Sequence, residues 1–549
     1  MTATTSGGGL GRSSALLASG TIVSRLLGFV SAAVLAQAIG LKGAGADTFA
    51  VANQLPNNIY AIIAGGLLSA VLVPQIVKAG MHDDGGQRFI NRLVTLGLVV
   101  FVVAAVVATV AAPVLVRLYS QQSADGGNGF SPDEIALATA FAYWCLPQVL
   151  FYAIYSLLGE VLNARKIFGP FTWTPVLNNI VAIAGMVVFI AAFGGDPTHK
   201  DASTWTPPMI ALLAGTATLG IAVQGLGLFY FWRRAGLSYR PDFHWRGVGL
   251  GATGKAAAWV FGMIVVTQLA GIVQSNVATT AGGSDDASVT ILRYSWLVFM
   301  LPHSIAAVSI ATAYFTRMSA HAHEGNLGGV RDDFSASMRT IGLIMVFSAV
   351  GFIVLAYPFS AVFSRSFDST QDMAFVLIAY LVGLVPFSVL FLIQRTFYSM
   401  NNTRTPFFLQ VFQSALFVVG ALLVLTLEKE WVAVGIAAVT AIAGSAQAVA
   451  AAYFLRKRLG HIDAGRILRS YATFLLAAAP AAAVGVALLF ALGGTTQGGF
   501  AVAIPATAIV SMAVIGTAMA VVYALALVLL RNAELGEIIR PAVRRLRRR

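Results

Sequence analysis

The chain has 549 residues, 58% of them hydrophobic and only 10% charged, with a formal net charge of +13. A soluble chain of this length divides into several domains and needs roughly 25% charged residues to clothe them, so the composition excludes a soluble protein and leaves lipid as the place for the apolar surface. The cations sit in short loops and at the C-terminus rather than on one basic face, which sets aside nucleic acid as a partner.

Residues 1–13 form a short polar N-terminal tail. The apolar run behind it is too long for a signal-peptide h-region and has no cleavage site, so it is read as a retained first span. A helix needs ~20 apolar residues to cross ~30 Å of hydrocarbon. By that measure fourteen spans are expected, near 14–40, 46–77, 93–116, 135–161, 172–194, 207–232, 256–280, 288–316, 340–363, 374–398, 407–427, 432–455, 470–492 and 502–530. The single cysteine, Cys145, lies in an apolar stretch and reads as a small core residue; it excludes a disulfide framework. With both termini cytoplasmic, 28 of the 35 Lys and Arg fall in inside segments and five in outside ones, while Arg25 and Arg293 lie within spans. That asymmetry fits the positive-inside rule and supports a multi-pass protein of the cytoplasmic membrane. The tail from 531, ending RPAVRRLRRR, then reads as a topology anchor on the anionic leaflet.

The two halves resemble each other. LPNNIYAIIAGG at 55–66 reads against LPHSIAAVSIAT at 301–312, and the segment from Pro147 reads against that from Pro386, with offsets of 246 and 239 residues. Six helices separate the paired segments, so the copies share one orientation and form a parallel repeat. The expected all-α architecture is two six-helix lobes around a central cavity, with two C-terminal helices. In chain order it has an N-lobe at 14–232, a linker at 233–255, a C-lobe at 256–455, an appendage at 456–530 and a basic tail at 531–549. Proline-broken helices whose freed backbone groups need a cavity or a neighbouring helix point to a transporter working by alternating access.

The chemistry concentrates in the hairpin 22–75. Charge in a bilayer is costly and marks a functional site by default, and Arg25 lies about a third of the way into the first segment. Asp47 opens the second, which Pro56, Asn57 and Asn58 interrupt. Arginine's planar fork suits a diphosphate, and Arg25 with Arg293, from opposite lobes, could hold one between them. The bland alternatives are an Arg25–Asp47 pair that only locks the hairpin, and snorkelling of Arg293 to the surface. Asp47 reads equally as an outer-gate partner or as the N-cap of the second helix. Glu160 reads as a surface partner of Arg165 and Lys166. Asn53, Gln54, Asn57 and Asn58, with Gln268, Gln274 and Asn276, either donate to sugar and phosphate oxygens or serve as interhelical glue. His303 reads as a packing histidine.

GLGATGK at 249–255 nearly matches a phosphate loop, but Ala256 stands where Ser/Thr is required and no strand precedes it. His321 and His323 lack further metal ligands nearby. No catalytic triad or paired carboxylates appear, so neither enzyme nor cofactor is expected.

SRLLGF at 24–29, the acid with TFAVANQLPN at 47–57, VP at 73–74, LNARKIFGPF…TPVLNNI at 162–180 and FYSMNNTRTP at 397–406 resemble the MurJ (MviN) lipid II flippases, of the superfamily of multidrug and oligosaccharidyl-lipid exporters. The Ala-rich spans are similar to actinobacterial members. The resemblance spans the whole chain. It implies movement of the undecaprenyl-diphosphate-linked muropeptide of peptidoglycan to the outer leaflet, by a monomeric transporter rocking two lobes about a cationic cavity. Of the family's cavity charges, the Ser-Arg pair falls on Ser24–Arg25 and the acid on Asp47. A second arginine falls on Ser31, with Ala32 in place of a neighbouring acid. The arginine after LPN falls on Tyr60, and an Asp-Arg pair falls on Trp296–Leu297. Arg293, four residues before Leu297, shares its helix face. The expected substrate site is therefore Arg25, Arg293, Ser24, Asn53, Asn57, Tyr60 and Gln268, with Asp47 at the gate. An exporter of another cargo, either drug or lipid-linked glycan, and a non-transporting scaffold of the cell-wall machinery are the alternatives. A drug antiporter would want buried carboxylates rather than arginines.

Overall fold

In the computed structural model the chain is helical throughout the described residues, which are 7–67, 86–123, 128–165, 167, 169–196, 199–234, 236–244, 254–282 and 286–536. Among them, twelve helices are long and apolar enough to cross a membrane, or thirteen with the bent pair Phe367–Val382 and Leu384–Ser399, which meet at 43°. These match thirteen of the fourteen expected spans. The second, expected over 46–77, is described only as Ala44–Leu67, a helix that carries Asn53, Gln54, Asn57 and Asn58 and runs unbroken through Pro56 where an interruption is expected, while 68–77 lie outside the described residues. The chain divides into two compact units, 1–285 and 286–549.

The first unit contains α1 (Gly7–Ile39), α2 (Ala44–Leu67), α3 (Gln87–Val110), α4 (Ala112–Tyr119), α5 (Pro132–Cys145), α6 (Gln148–Ala164), α7 (Gly169–Phe193), α8 (Pro207–Arg234) and α9 (Gly254–Thr279). Pro147 separates α5 from α6, and Pro113 enters the first turn of α4. A capping box starts α5: Glu134 N–H donates to Ser131 Oγ at 3.3 Å, and Ser131 N–H to Glu134 Oε2 at 2.7 Å, satisfying two orphan donors reciprocally. Ile90, Phe101, Leu157, Leu162, Leu228 and Trp232 build the buried core among α3, α6 and α8.

The second unit contains α10 (Val289–Pro302), a π-helical turn His303–Ala307, α11 (Val308–His323), α12 (Leu327–Val354), α13 (Ala356–Phe363), α14 (Phe367–Leu381), α15 (Leu384–Ser399), α16 (Arg404–Val424), α17 (Lys429–Leu459), α18 (Ala464–Ala491) and α19 (Pro505–Leu529). Pro302 lacks the N–H that a regular ladder needs, and the helix widens just after it. Seven pairings recur between the units. α2 packs on α5 and α6 as α10 and α11 pack on α14 and α15, and α3–α6 matches α12–α15. α4–α5, α5–α8, α6–α8 and α7–α8 match α13–α14, α14–α17, α15–α17 and α16–α17. One helix stands outside this symmetry. The sequence repeat assigns α9 to the second lobe, yet it packs on α2 and α4 within the first unit. The appended α18 and α19 pack on α12 and α13, burying Phe474, Ile515 and Met519 with Val346 and Leu355.

Candidate functional site

The turn at 40–43 seats the hairpin. Gly40 and Gly43 adopt φ of 86° and 97°, a conformation that only glycine takes without strain. After α7, Asp196 lies against Gly40 and Lys200 against Gly43. Ala44 N–H donates to the Lys200 carbonyl at 2.7 Å, and Trp205 Nε1–H to the His199 carbonyl at 3.1 Å. Phe49, Phe141, Phe189, His199 and Trp205 close this end as an aromatic cluster. Asp47 lies beneath it, fully buried. It is the fourth residue of α2, so it is not the N-cap. It is a first-turn acid, which the helix dipole favours.

Arg25 is exposed on α1. It lies fourteen residues before the end of α1 and Asp47 three residues after the start of α2, at depths of about 21 and 5 Å from the turn at 1.5 Å per residue. The Arg25–Asp47 pair does not form: among the described residues no acid lies within 4 Å of the Arg25 guanidinium. α1 packs instead on α7, where Asn179 Nδ2 donates to the Ser24 carbonyl at 2.9 Å. Ser24 thus positions the helix through its backbone, beside an arginine left accessible.

Within α2 the polar run splits by face. Asn53 Oδ1 accepts from Gln148 Nε2 at 3.4 Å, and Gln148 also donates to Thr218 Oγ1 at 2.9 Å, so Asn53 is glue to α6. Asn58 is buried within hydrogen-bonding reach of Tyr119. Gln54 and Asn57, three residues apart and therefore on one face, are the only exposed residues among the described side chains of α2. A helix facing lipid exposes apolar residues, as α3 does with Val99, Val103 and Val106. A face exposing two amides faces water or a polar ligand.

Tyr60, where the family's arginine falls, packs its ring on Phe101 and Tyr152, with centroids at 5.9 and 5.7 Å, and reaches Ser156 and Glu160. Glu160 thus stands beside Tyr60. Lys166, one of its two expected surface partners, lies outside the described residues. On α9, Gln268 and Gln274 are half-buried. Asn276 Nδ2 donates to the Leu118 carbonyl at 2.7 Å and Ser275 Oγ to that of Tyr119 at 2.5 Å, which fastens α9 to α4.

In the second unit Arg293 is exposed on the second turn of α10, while Leu297 is half-buried. Where the family's Asp-Arg pair falls, Trp296 stacks on Phe299 at 4.8 Å and meets Tyr380 and Phe387 edge-on, an aromatic cluster in place of charge. His303 is buried beside Phe387 and Phe391, its Nδ1 3.0 Å from Ser388 Oγ. That environment matches its reading as packing. The structure also shows an arginine that the sequence reading counted as cytoplasmic. Arg395 lies one turn inside the end of α15, half-buried, with its guanidinium 5.1 Å from the Phe391 ring and 5.5 Å from that of Phe315 on α11. Next to Phe315, α11 exposes Ser309, Thr312 and Thr316, a hydroxyl face. The i, i+3, i+7 spacing of those hydroxyls was legible; the depth of Arg395 was not.

The family model described as lipid II flippase MurJ matches residues 35–527. The chain belongs to the MurJ lipid II flippase family. Among MurJ relatives, a Haemophilus influenzae protein named as a probable lipid II flippase MurJ is 28% identical over 404 residues, covering 70% of this chain and 75% of the relative. The solved structure of a MurJ in an inward closed conformation superposes with a TM-score of 0.69 at 18% identity, covering 93% of this chain and 99% of that one. An inward-facing multidrug-resistance MATE transporter of the MOP superfamily superposes at 0.63 with 17% identity, covering 80% and 94%. At those identities the structural matches establish the fold alone. It is the all-helical MurJ and MATE fold that the sequence predicts.

Proposed function

We infer that the chain is the flippase that carries lipid II from the inner to the outer leaflet by alternating access. The observation that carries this reading is the family match over 35–527, joined to an arginine exposed at membrane depth on α1. In this reading Arg25 takes the diphosphate, through charge-assisted hydrogen bonds strengthened in a dry site. Gln54 and Asn57 on α2 take neutral phosphate or sugar oxygens. Tyr60 and Asn53 hold the frame around them, and Gln268 on α9 extends the polar surface. Arg293 and Arg395 are the second unit's candidate cations. Asp47, buried at the turn end, serves closure of that end rather than substrate charge. The protein is a monomeric transporter of the cytoplasmic membrane with both termini cytoplasmic, its basic tail lies on the anionic leaflet, and it catalyses no covalent step.

Depleting the protein in cells tests this. Lipid II should accumulate on the cytoplasmic side and return to normal on re-expression. Continued translocation without the protein, with no compensating flippase, would overturn the reading. Complementation by Arg25→Ala should be reduced at least tenfold, since losing a hydrogen bond to a charged group costs about 1.5–3 kcal/mol, with partial recovery by Arg25→Lys. Full complementation by Arg25→Ala would leave the flippase standing and remove Arg25 from its site.

A further inference from the structure

The turn that joins α11 to α12 holds a charged cluster of its own. Gly325 takes a φ of 73°, and Asn326 Oδ1 accepts from Gly329 N–H at 2.9 Å, which starts α12. Gly329 also seats an imidazole, since a Cβ there would lie 2.7 Å from His321 Cγ. One turn further along α12, Asp333 presents a buried carboxylate to α11. Arg317 Nη2 lies 2.6 Å from Asp333 Oδ1, and His321 Nε2 lies 3.6 Å from Oδ2. The other ring nitrogen, Nδ1, lies 4.0 Å from Glu324 Oε2. The side chain of Asp333 is 5% exposed and that of Glu324 69%, so the imidazole stands between a buried carboxylate and one in water.

Hydrogen-bond donors are short here by one proton. Among the described residues, Asp333 Oδ2 and His321 Nδ1 have no hydrogen-bond partner although both are buried, a costly state for a polar atom. A neutral imidazole carries a single N–H and can serve only one of the two carboxylates, whereas an imidazolium carries two and can serve both. Closing the 3.6 and 4.0 Å separations to the 2.7–2.9 Å of a charge-assisted bond needs movements of only about 1 Å. Arg317 does not supply the missing donor: it is held by Oδ1 on one side and by the Tyr314 ring, 5.2 Å to the centroid, on the other. Of the other charged and titratable groups on the elements packed here, His323 and Asp332 are exposed, and Arg331 donates to the Leu459 carbonyl at 2.7 Å and faces His461. Asp463 accepts from Ser335, and Arg339 pairs with Glu534. On α15, Arg395 stacks on Phe315, six residues before His321, and Tyr398 follows it by one turn.

We propose that His321, Asp333 and Glu324 form a proton-binding site. His321 takes up one proton from water on the Glu324 side, and the resulting imidazolium bonds both carboxylates and draws the start of α12 onto α11. Histidine is the side chain whose charge changes near neutral pH. The fastening is therefore present while His321 is protonated and is lost as pH rises. It is independent of the cargo that the chain carries.

Hydrogen exchange of the full chain in lipid nanodiscs tests this. After correction for intrinsic exchange, protection of peptides within 317–335 should rise about tenfold between pH 8 and pH 5.5, and His321→Gln should abolish the rise. No rise in the wild type, or an equal rise in His321→Gln, overturns the site. Glu324→Gln changes only an exposed side chain and should lessen the rise, and an undiminished one overturns the two-carboxylate arrangement. A second measurement reads the proton itself: in the chain labelled with ¹⁵N-histidine, the His321 signals, assigned by their loss in His321→Gln, should show one protonated ring nitrogen at pH 8 and two at pH 5.5. Signals that do not change between those pH values overturn the proposal.

Discussion

Gly45 shows how tightly one atom can be specified. A Cβ there would lie 2.5 Å from the His199 carbonyl oxygen and 2.6 Å from Trp205 Nε1, in the middle of the hydrogen bond that joins them. Since the first neighbour is backbone, it cannot rotate away. Gly45→Ala should lower stability by about 1–3 kcal/mol, read as a fall in melting temperature of the purified protein. Gly271→Ala on α9, where a Cβ meets nothing within 4 Å, should leave stability unchanged or raise it by about 0.5–1 kcal/mol through helix propensity. Equal effects would mean that the turn end is not packed as described. The same scale shows what the sequence could and could not disclose. Arg25 was legible because an arginine among apolar residues has few uses. Arg395 was not, because hydropathy places a helix end only to within several residues, and one turn separates a loop cation from a buried one. The split of α2 into a gluing face, with Asn53 and Asn58, and an exposed face, with Gln54 and Asn57, follows from packing against α6 and α4, which the sequence does not state.

Among the elements, two polar fastenings hold terminal or linking segments to the units. Arg339 on α12 is paired with Glu534, just past α19, each side chain 9% exposed, and Ser470 Oγ on α18 donates to the same carboxylate at 3.1 Å. Burial pushes the Glu534 carboxyl up, but hydrogen bonds from Arg339, its own backbone and Ser470 together hold it below the ordinary glutamate value. A depressed carboxylate stabilises the fold above its unfolded pKa and loses that contribution as pH falls through the folded one, so this clasp persists at neutral pH and opens in acid. Glu534→Ala should be strongly destabilising, about 3–5 kcal/mol, because it leaves Arg339 buried without its acceptor. Exchange protection should fall first in α18 and α19, and loss spread evenly over both units would contradict the clasp. The second fastening is the segment 237–244 after α8, which lies along the start of α3: Gln87 Nε2 donates to the Ser238 carbonyl at 2.6 Å, and Arg92 Nε to Asp242 Oδ2 at 2.9 Å. Donation from the His244 backbone N–H, then from Arg92, holds Asp242 at about 2, against an ordinary aspartate value near ~3.9. Its contribution is complete above ~4 and disappears as pH falls from ~4 toward ~2. Limited proteolysis at 237–244 should therefore be flat from neutral pH down to ~4, while Asp242→Asn should expose the segment already at pH 7. The helix breaks beside Pro147 and Pro386 were readable beforehand from the missing N–H, whereas Pro56, expected to interrupt the second segment, sits inside an unbroken helix, as Pro175 and Pro480 do. The partner of α9 was not readable either: a helix apolar on most faces does not declare its neighbour.

For the molecule as a whole, the orientation proposed above rests on the distribution of charge. Placing 28 of the 35 Lys and Arg on one side leaves five on the other, and short cation-rich loops are retained in the cytoplasm. The sequence repeat carries a matching expectation: with six spans between its paired segments, both copies are expected with one polarity. The loop between α18 and α19 should then face outward and the turn between α11 and α12 inward. Cys145 is fully buried, so a Cys145→Ala background carries no native thiol. On it, Gln497→Cys in the first loop and Glu324→Cys in the second each place a thiol at an exposed position. A membrane-impermeant maleimide added to intact cells should label the cysteine at 497 and spare the one at 324 until the membrane is opened. The reverse pattern would overturn the proposed orientation. Labelling of both in intact cells would contradict the odd number of spans, α12, the bent α14–α15 pair, α16, α17 and α18, that separates the two positions.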